Sequence, residues 1–238
     1  MITANQLRVM PLHAITEILG TGGLQQRLVL ELDRLPAATR TAVTDAAAWA
    51  GRLHESQHRV REPYINHPLR VALRILCYYR VHDPDVLTAA LLHDTVEDQP
   101  WAVAARCGAG PPPREAAFAA LTDRYSARVR ALVAAVTNPI TTPGTDRTQS
   151  YLRHLSTAVA AEPWARVIKL SDFTDNAAGL IHTPGPKAQR AAVKYGPAVA
   201  VMRDLLHRPD TPLAPAVKAY IDTKLDVAQG RIAAIAAA

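Results

Sequence analysis

Aromatic residues are scarce, at 5% of the 238 positions, and cysteine occurs only twice. Cys77 and Cys107 stand alone and far apart, so they supply neither a disulfide framework nor a thiolate metal site. Long apolar runs are missing as well. Arg, Asp, Glu or His interrupts every hydrophobic stretch before it reaches the roughly 18 to 20 residues of a membrane span, so the expectation is a soluble protein with no membrane partner. The first residues reach Arg8 without the apolar core and cleavage site of an export signal, which makes the cytoplasm the expected location. Strand signals are absent too: there is no Asn-Gly or Asp-Gly hairpin dipeptide and no sustained period-2 pattern. Acidic residues fall short of basic ones, 21 against 27, and the formal charge of +6 tilts the partner or substrate toward an anion.

What the chain has instead is 49% hydrophobic residues, much of it alanine, which excludes intrinsic disorder and suits close-packed helices. Its length fits one ordinary-sized domain with terminal appendages. Periodicity and breakers predict helices over 12–19 and 24–32, on either side of the Gly-rich 20–23. They continue over 37–57 with Thr39 or Thr41 as N-cap, over 67–79 opened by His67-Pro68, and over 85–97 started by Asp83-Pro84. Further helices are expected near 114–121, 125–136, 147–161, 163–180, 187–208 and 213–236, punctuated by Pro139, Pro143, Gly144, Pro184, Pro186 and Pro209. The fold class is therefore all-α, with an N-terminal helical extension over 1–36, a main domain over 37–208 and a C-terminal helix over 209–238.

Basic residues crowd two stretches. Arg52, Arg59, Arg61, Arg70, Arg74 and Arg80 face only Glu55 and Glu62 between 52 and 80, and Lys187, Arg190, Lys194, Arg203 and Arg208 meet only Asp204 between 187 and 208. Taken singly, each reads equally well as a solvated helix charge; together they are a reason to look for phosphate.

The segment Leu91-Leu92-His93-Asp94-Thr95-Val96-Glu97-Asp98 places four ionisable side chains at the end of an apolar helix. At helical spacing His93 pairs with Glu97 and Asp94 with Asp98, so the set can project toward one cleft. An imidazole beside a carboxylate suits a divalent cation. His67, at a predicted helix start, and Asp172, after the apolar Val167-Ile168-Lys169-Leu170, are polar groups in similar positions. Together His67, His93, Asp94 and Asp172 offer two nitrogens and two carboxylates.

Four stretches in this order resemble the hydrolase half of RelA/SpoT-type proteins, members of the HD superfamily. They are His54-Glu55-Ser56-Gln57-His58-Arg59; Glu62-Pro63-Tyr64-Ile65-Asn66-His67-Pro68-Leu69; Ala89 through Asp98; and Ile168-Lys169-Leu170-Ser171-Asp172 with Asn176. The resemblance covers roughly residues 40 to 200. It implies an all-helical HD-domain bundle that removes the 3′-pyrophosphate from the alarmones ppGpp and pppGpp with manganese, and the length leaves no room for the synthetase domain of the long members. It assigns the metal to His67, His93, Asp94 and Asp172, all of matching residue type. Nitrogen and oxygen ligands without thiolate agree with manganese or a similar hard ion. Glu97 and Asp98 fall on the family's acidic pair, which orients and deprotonates a water for attack at phosphorus. Asn176 and Arg59 fall on nucleotide and phosphate contacts, and Arg153, Lys187, Arg190 and Lys194 are candidates for a second phosphate clamp.

Departures cluster around the substrate rather than the metal. Val60 replaces a usual lysine, Ser56 a usual glycine, and Phe173, Asp175 and Gly179 a usual arginine, histidine and threonine. The base is therefore open, with adenosine alarmones (ppApp, pppApp) beside guanosine ones. The family also contains antitoxins paired with a small alarmone synthetase, some of which clear pyrophosphate from the tRNA 3′ end, and that reading stands as the alternative. An HD-type 5′-nucleotide phosphohydrolase and a non-catalytic nucleotide-binding module rank below both.

Overall fold

The structure is a computed structural model that describes residues 2–180, 183 and 185–237; Pro184, one of the expected breakers, lies outside them. Among the described residues there are helices and no strand, only an isolated bridge between His58 and Pro63, so the all-α expectation holds. The chain divides into two compact units, Met1–Thr137 and Asn138–Ala238.

The first unit contains α1 (Ala4–Val9), α2 (Leu12–Leu32), α3 (Ala37–Leu53), α4 (Asn66–Cys77), α5 (Pro84–Leu92), the single turns α6 (Thr95–Asp98) and α7 (Pro100–Val103), α8 (Arg114–Arg124) and α9 (Ala127–Val136). Its centre is α5, in which every residue from Val86 to Leu92 is buried. A helix apolar on all sides must be enclosed on all sides, and α3, α4 and α9 pack around it. The segment read as an extension supplies α1 and α2, and α2 lies along α4. The Gly-rich break in α2 is a kink at Gly20, with φ 62° and ψ −154°, a conformation that costs glycine little.

Asp83 fixes the start of α5. Its carboxylate accepts from the backbone N–H groups of Asp85 and Val86 and from both terminal nitrogens of Arg128 on α9. Burial pushes this carboxyl up, but Arg128 and the two N–H groups outweigh it and hold it below its ordinary value. Asp83→Ala is expected to lower unfolding free energy by about 1–2 kcal/mol in urea titration at neutral pH. Because the folded-state pKa is the lower one, the cap contributes fully above the unfolded value near 3.8 and fades as pH falls through the folded value, so the difference between variant and wild type narrows in acid.

The second unit contains α10 (Arg147–His154), a π-helical turn (Leu155–Val159), α11 (Pro163–Gly179), α12 (Gly185–Tyr195), α13 (Ala198–His207) and α14 (Pro215–Ala236). Here α11 is central, buried from Ala165 to Asp175, and α13 and α14 pack against it. Arg166, fully buried on α11, donates to Thr211 Oγ1 and the Ala160 carbonyl and pairs with Asp210 at 2.9 Å. That charge is tolerable because two of its nitrogens are hydrogen-bonded and the third is paired with a carboxylate.

Four sequence expectations change. The helix expected over 37–57 starts after Pro36 without a side-chain cap, and Thr39 is buried inside it rather than capping. The helix expected over 85–97 stops at Leu92 and resumes at Thr95. The segment 147–161 passes through the π turn, and 187–208 breaks at Gly196-Pro197, where proline cannot donate to the preceding turn. α1 and α7 were not anticipated; the capping box of Thr3 with Gln6 is the signal that marks the first.

Candidate functional site

His67 sits in the first turn of α4, where the following proline costs nothing because its missing N–H would be an orphan in any case. His93 and Asp94 occupy the step between α5 and α6. Asp94 is at the N-cap position of α6, yet its side chain makes no capping bond. The carboxylate turns instead to three rings. Oδ2 accepts from the Tyr64 hydroxyl at 2.7 Å and lies 3.1 Å from His93 Nε2 and 3.6 Å from His67 Nε2. The two imidazoles meet edge to face with centroids 5.1 Å apart.

The proton positions on His93 follow from its other nitrogen. Nδ1 lies 2.8 Å from the Ala90 carbonyl, which only accepts, so Nδ1 carries the proton. In the neutral ring the Nε2 lone pair then faces the Asp94 carboxylate, an arrangement of electron-pair donors that suits a cation. Burial pushes the Asp94 carboxyl up, but when the His93 and His67 rings are protonated their charge, together with the Tyr64 hydroxyl, prevails and holds it well below the usual carboxylate range. Tyr64 moves the other way: burial first, then Asp94 and Asp98, push its hydroxyl far above the ordinary value, so it remains a donor.

Glu97 and Asp98 follow on the single turn α6, Glu97 half-buried and Asp98 exposed. Asp98 accepts from Gln57 Nε2 at 2.8 Å. Arg59 stands with its guanidinium 5.4 Å from the centre of the Tyr64 ring. The loop carrying these groups is pinned by its backbone, with Arg59 N–H donating to the Glu62 carbonyl and Tyr64 N–H to the Gln57 carbonyl.

In the second unit, α11 presents Lys169, Asp172 and Asn176 at helical spacing. Lys169 Nζ is 2.8 Å from Asp172 Oδ2, and the Asn176 amide donates to Oδ1 at 2.6 Å, so both carboxylate oxygens are oriented from their own helix. Phe173 packs inward, edge-on to Tyr195 at 5.6 Å, and Asp175 is also buried. The clamp candidates separate by environment. Arg153 on α10 and Lys187 and Arg190 on α12 are exposed, whereas Lys194 is partly covered, its ammonium 4.6 Å from the Tyr151 ring centre and 5.3 Å from that of Tyr195.

Sequence reasoning gave no role to Tyr64, Gln57, His54 or Lys169. All four lie inside the motif stretches, which is the signal that marks them; Tyr64 and Gln57 reach Asp94 and Asp98 across tens of residues, whereas His54 meets Gln57 and Lys169 meets Asp172 three positions on.

The helices and this histidine–aspartate centre define an all-helical HD-type domain. No protein-family model matches the chain. Over 174 residues, 71% of the chain, it is 31% identical to the guanosine-3′,5′-bis(diphosphate) 3′-pyrophosphohydrolase MESH1 of Danio rerio, covering 86% of that protein. The Homo sapiens and Xenopus tropicalis proteins of the same name are 36% identical over 54% of this chain and 34% identical over 55% of it. The match spans 63% and 64% of those two proteins. The solved structure of a metazoan ortholog of SpoT that hydrolyzes ppGpp shares the fold, with a TM-score of 0.58 and 22% identity over 81% of this chain and 96% of that one. The chain belongs to the RelA/SpoT-type HD hydrolase family that includes the MESH1 pyrophosphohydrolases. No helix among the described residues is long and apolar enough to cross a membrane.

Proposed function

We propose that this protein removes the 3′-pyrophosphate from guanosine or adenosine alarmones, releasing pyrophosphate and a nucleoside 5′-di- or triphosphate with a free 3′-hydroxyl. The observation that carries this reading is the Asp94 carboxylate gathered with the His67 and His93 imidazoles and the Tyr64 hydroxyl, in a chain whose relatives bear the name of that reaction. His67, His93 and Asp94 hold a divalent ion in this proposal, with Asp172 as the fourth ligand. Their nitrogen and oxygen donors fit manganese better than a thiolate-seeking metal. When bound, such an ion supplies Lewis acidity toward water and the phosphoryl oxygens.

The chain's own groups do the rest. Water adds to the phosphorus attached to the 3′-oxygen, its proton passes to Glu97 or Asp98, and the 3′-oxygen leaves and takes up a proton. Arg59, Asn176, Arg153, Lys187, Arg190 and Lys194 are assigned to the substrate; the arginine forks suit phosphate oxygens, where they offset charge that grows on the departing group. Tyr64 orients Asp94 through its hydroxyl, so Tyr64→Phe is expected to weaken manganese binding about 10- to 100-fold in a metal titration while the protein stays folded.

The test is product analysis. Purified protein with manganese is given ppGpp, ppApp and 3′-pyrophosphorylated tRNA separately, and the products are separated by ion exchange. Pyrophosphate from the free nucleotides is the expected result and ranks the bases. Release from tRNA alone, or 5′-phosphate loss instead of 3′-pyrophosphate, would overturn it.

A further inference from the structure

A chain of polar contacts runs from Asp98 through Gln57 to His54. His54, at the C-cap of α3, is 2% exposed and stacks on Tyr64 with ring centroids 4.7 Å apart and planes 25° from parallel. Its Nδ1 lies 2.7 Å from Gln57 Oε1. Gln57 Oε1 is also 3.2 Å from Gln99 Nε2, and Gln57 Nε2 is 2.8 Å from Asp98 Oδ2.

The direction of every bond is fixed by one end. An ionised carboxylate only accepts, so the Gln57 amide must point its NH2 at Asp98. Its oxygen then faces His54, which must donate from Nδ1. Burial lowers the pKa of the His54 imidazole, in keeping with a neutral ring protonated on Nδ1 alone. Among the described residues its Nε2 is buried with no hydrogen-bond partner, so the bond to Gln57 is the ring's one hydrogen bond there. A glutamine on a loop has several rotatable bonds to freeze, and a buried, stacked imidazole is a rigid group to freeze it against.

We propose that His54 is a positioning residue: through its Nδ1–H bond to the Gln57 oxygen it locks the amide whose NH2 orients Asp98, the acid–base carboxylate. This rests on the reading of Asp98 in the proposed function. The stack on Tyr64 places the His54 ring, and the hydrogen bond transmits its position. The same arrangement ties the Tyr64 that donates to Asp94 and the Gln57 that donates to Asp98 to one imidazole.

Three variants separate the contributions. His54→Phe keeps an aromatic ring against Tyr64 and loses the donor. His54→Asn loses the ring and keeps an amide N–H near the Nδ1 position. Gln57→Leu removes the link. The expected result is a roughly tenfold lower kcat with KM within about twofold for His54→Phe and Gln57→Leu, and kcat within about threefold of wild type for His54→Asn. Equal kcat in His54→Phe and wild type, or His54→Asn as poor as His54→Phe, would overturn the proposal.

A second readout does not depend on turnover. In 15N-edited spectra of the full-length protein, His54 is expected in the Nδ1–H form with a slowly exchanging ring proton that Gln57→Leu makes fast. An Nε2–H tautomer, or a proton indifferent to Gln57→Leu, would refute the chain. An inactive wild type with the expected spectrum would instead remove the hydrolase reading and leave the Gln57 lock standing.

Discussion

Replacing Asp94 with Asn is expected to lower the proposed alarmone hydrolysis by at least about a thousandfold, equivalent to about 4 kcal/mol of barrier. The substitution changes almost no volume and leaves an oxygen to accept from Tyr64, so the packing of α5 against α3, α4 and α9 is untouched. What disappears is the negative charge between His67 and His93, and with it the strongest donor of the proposed ion site. The prediction has two readouts: single-turnover rate at saturating manganese, and thermal midpoint. A loss of rate with a midpoint within a few degrees of wild type is expected. A variant that keeps more than a tenth of the rate would remove Asp94 from the chemistry.

The second large effect is on stability. Arg70 on α4 is buried, and its two terminal nitrogens reach both oxygens of Glu62, at 2.7 and 2.6 Å, while Asn66 donates to the same carboxylate and Thr16 on α2 accepts from Arg70. Arginine cannot discharge itself, so Glu62→Gln leaves a buried cation with a neutral partner, a class of change that costs about 3–5 kcal/mol. Against the ~5–15 kcal/mol of a typical domain that is a large fraction. Urea unfolding at constant slope measures it directly. The double variant Glu62→Gln/Arg70→Met is expected to be more stable than Glu62→Gln alone, because the orphaned charge goes too; a single variant costing under about 1 kcal/mol, or a double variant less stable than the single, would contradict the account. The pair also anchors the turn that carries His67, so activity should fall with the single variant even where it remains folded.

Much of this was legible in the sequence because it was local. Proline at the starts of α5, α11 and α14, the glycine kink in α2 and the apolar faces of α5 and α11 follow from residue chemistry within a few positions. The break after Leu92 was not legible, since His93 and Asp94 are compatible with a continuing helix and keep helical dihedrals there. At that step His93 bonds back to Ala90 and Asp94 reaches Tyr64, thirty positions upstream, a contact no local pattern announces. The residues of the site were identifiable as types, whereas the supporting partners Tyr64, Gln57, His54 and Lys169 required knowing which side chains meet. Phe173 illustrates the same limit: the sequence shows only that it stands where the family usually has an arginine, and its burial edge-on to Tyr195 depends on a contact between separate helices.

The most direct measurement of the central claim is pyrophosphate release from ppGpp by protein stripped with a chelator and then titrated with manganese. The expected result is no release from the stripped protein, recovery that saturates with manganese, and no recovery in Asp94→Asn at any manganese concentration. Release that persists in the chelator, or none at any manganese concentration by the wild-type protein, would contradict it.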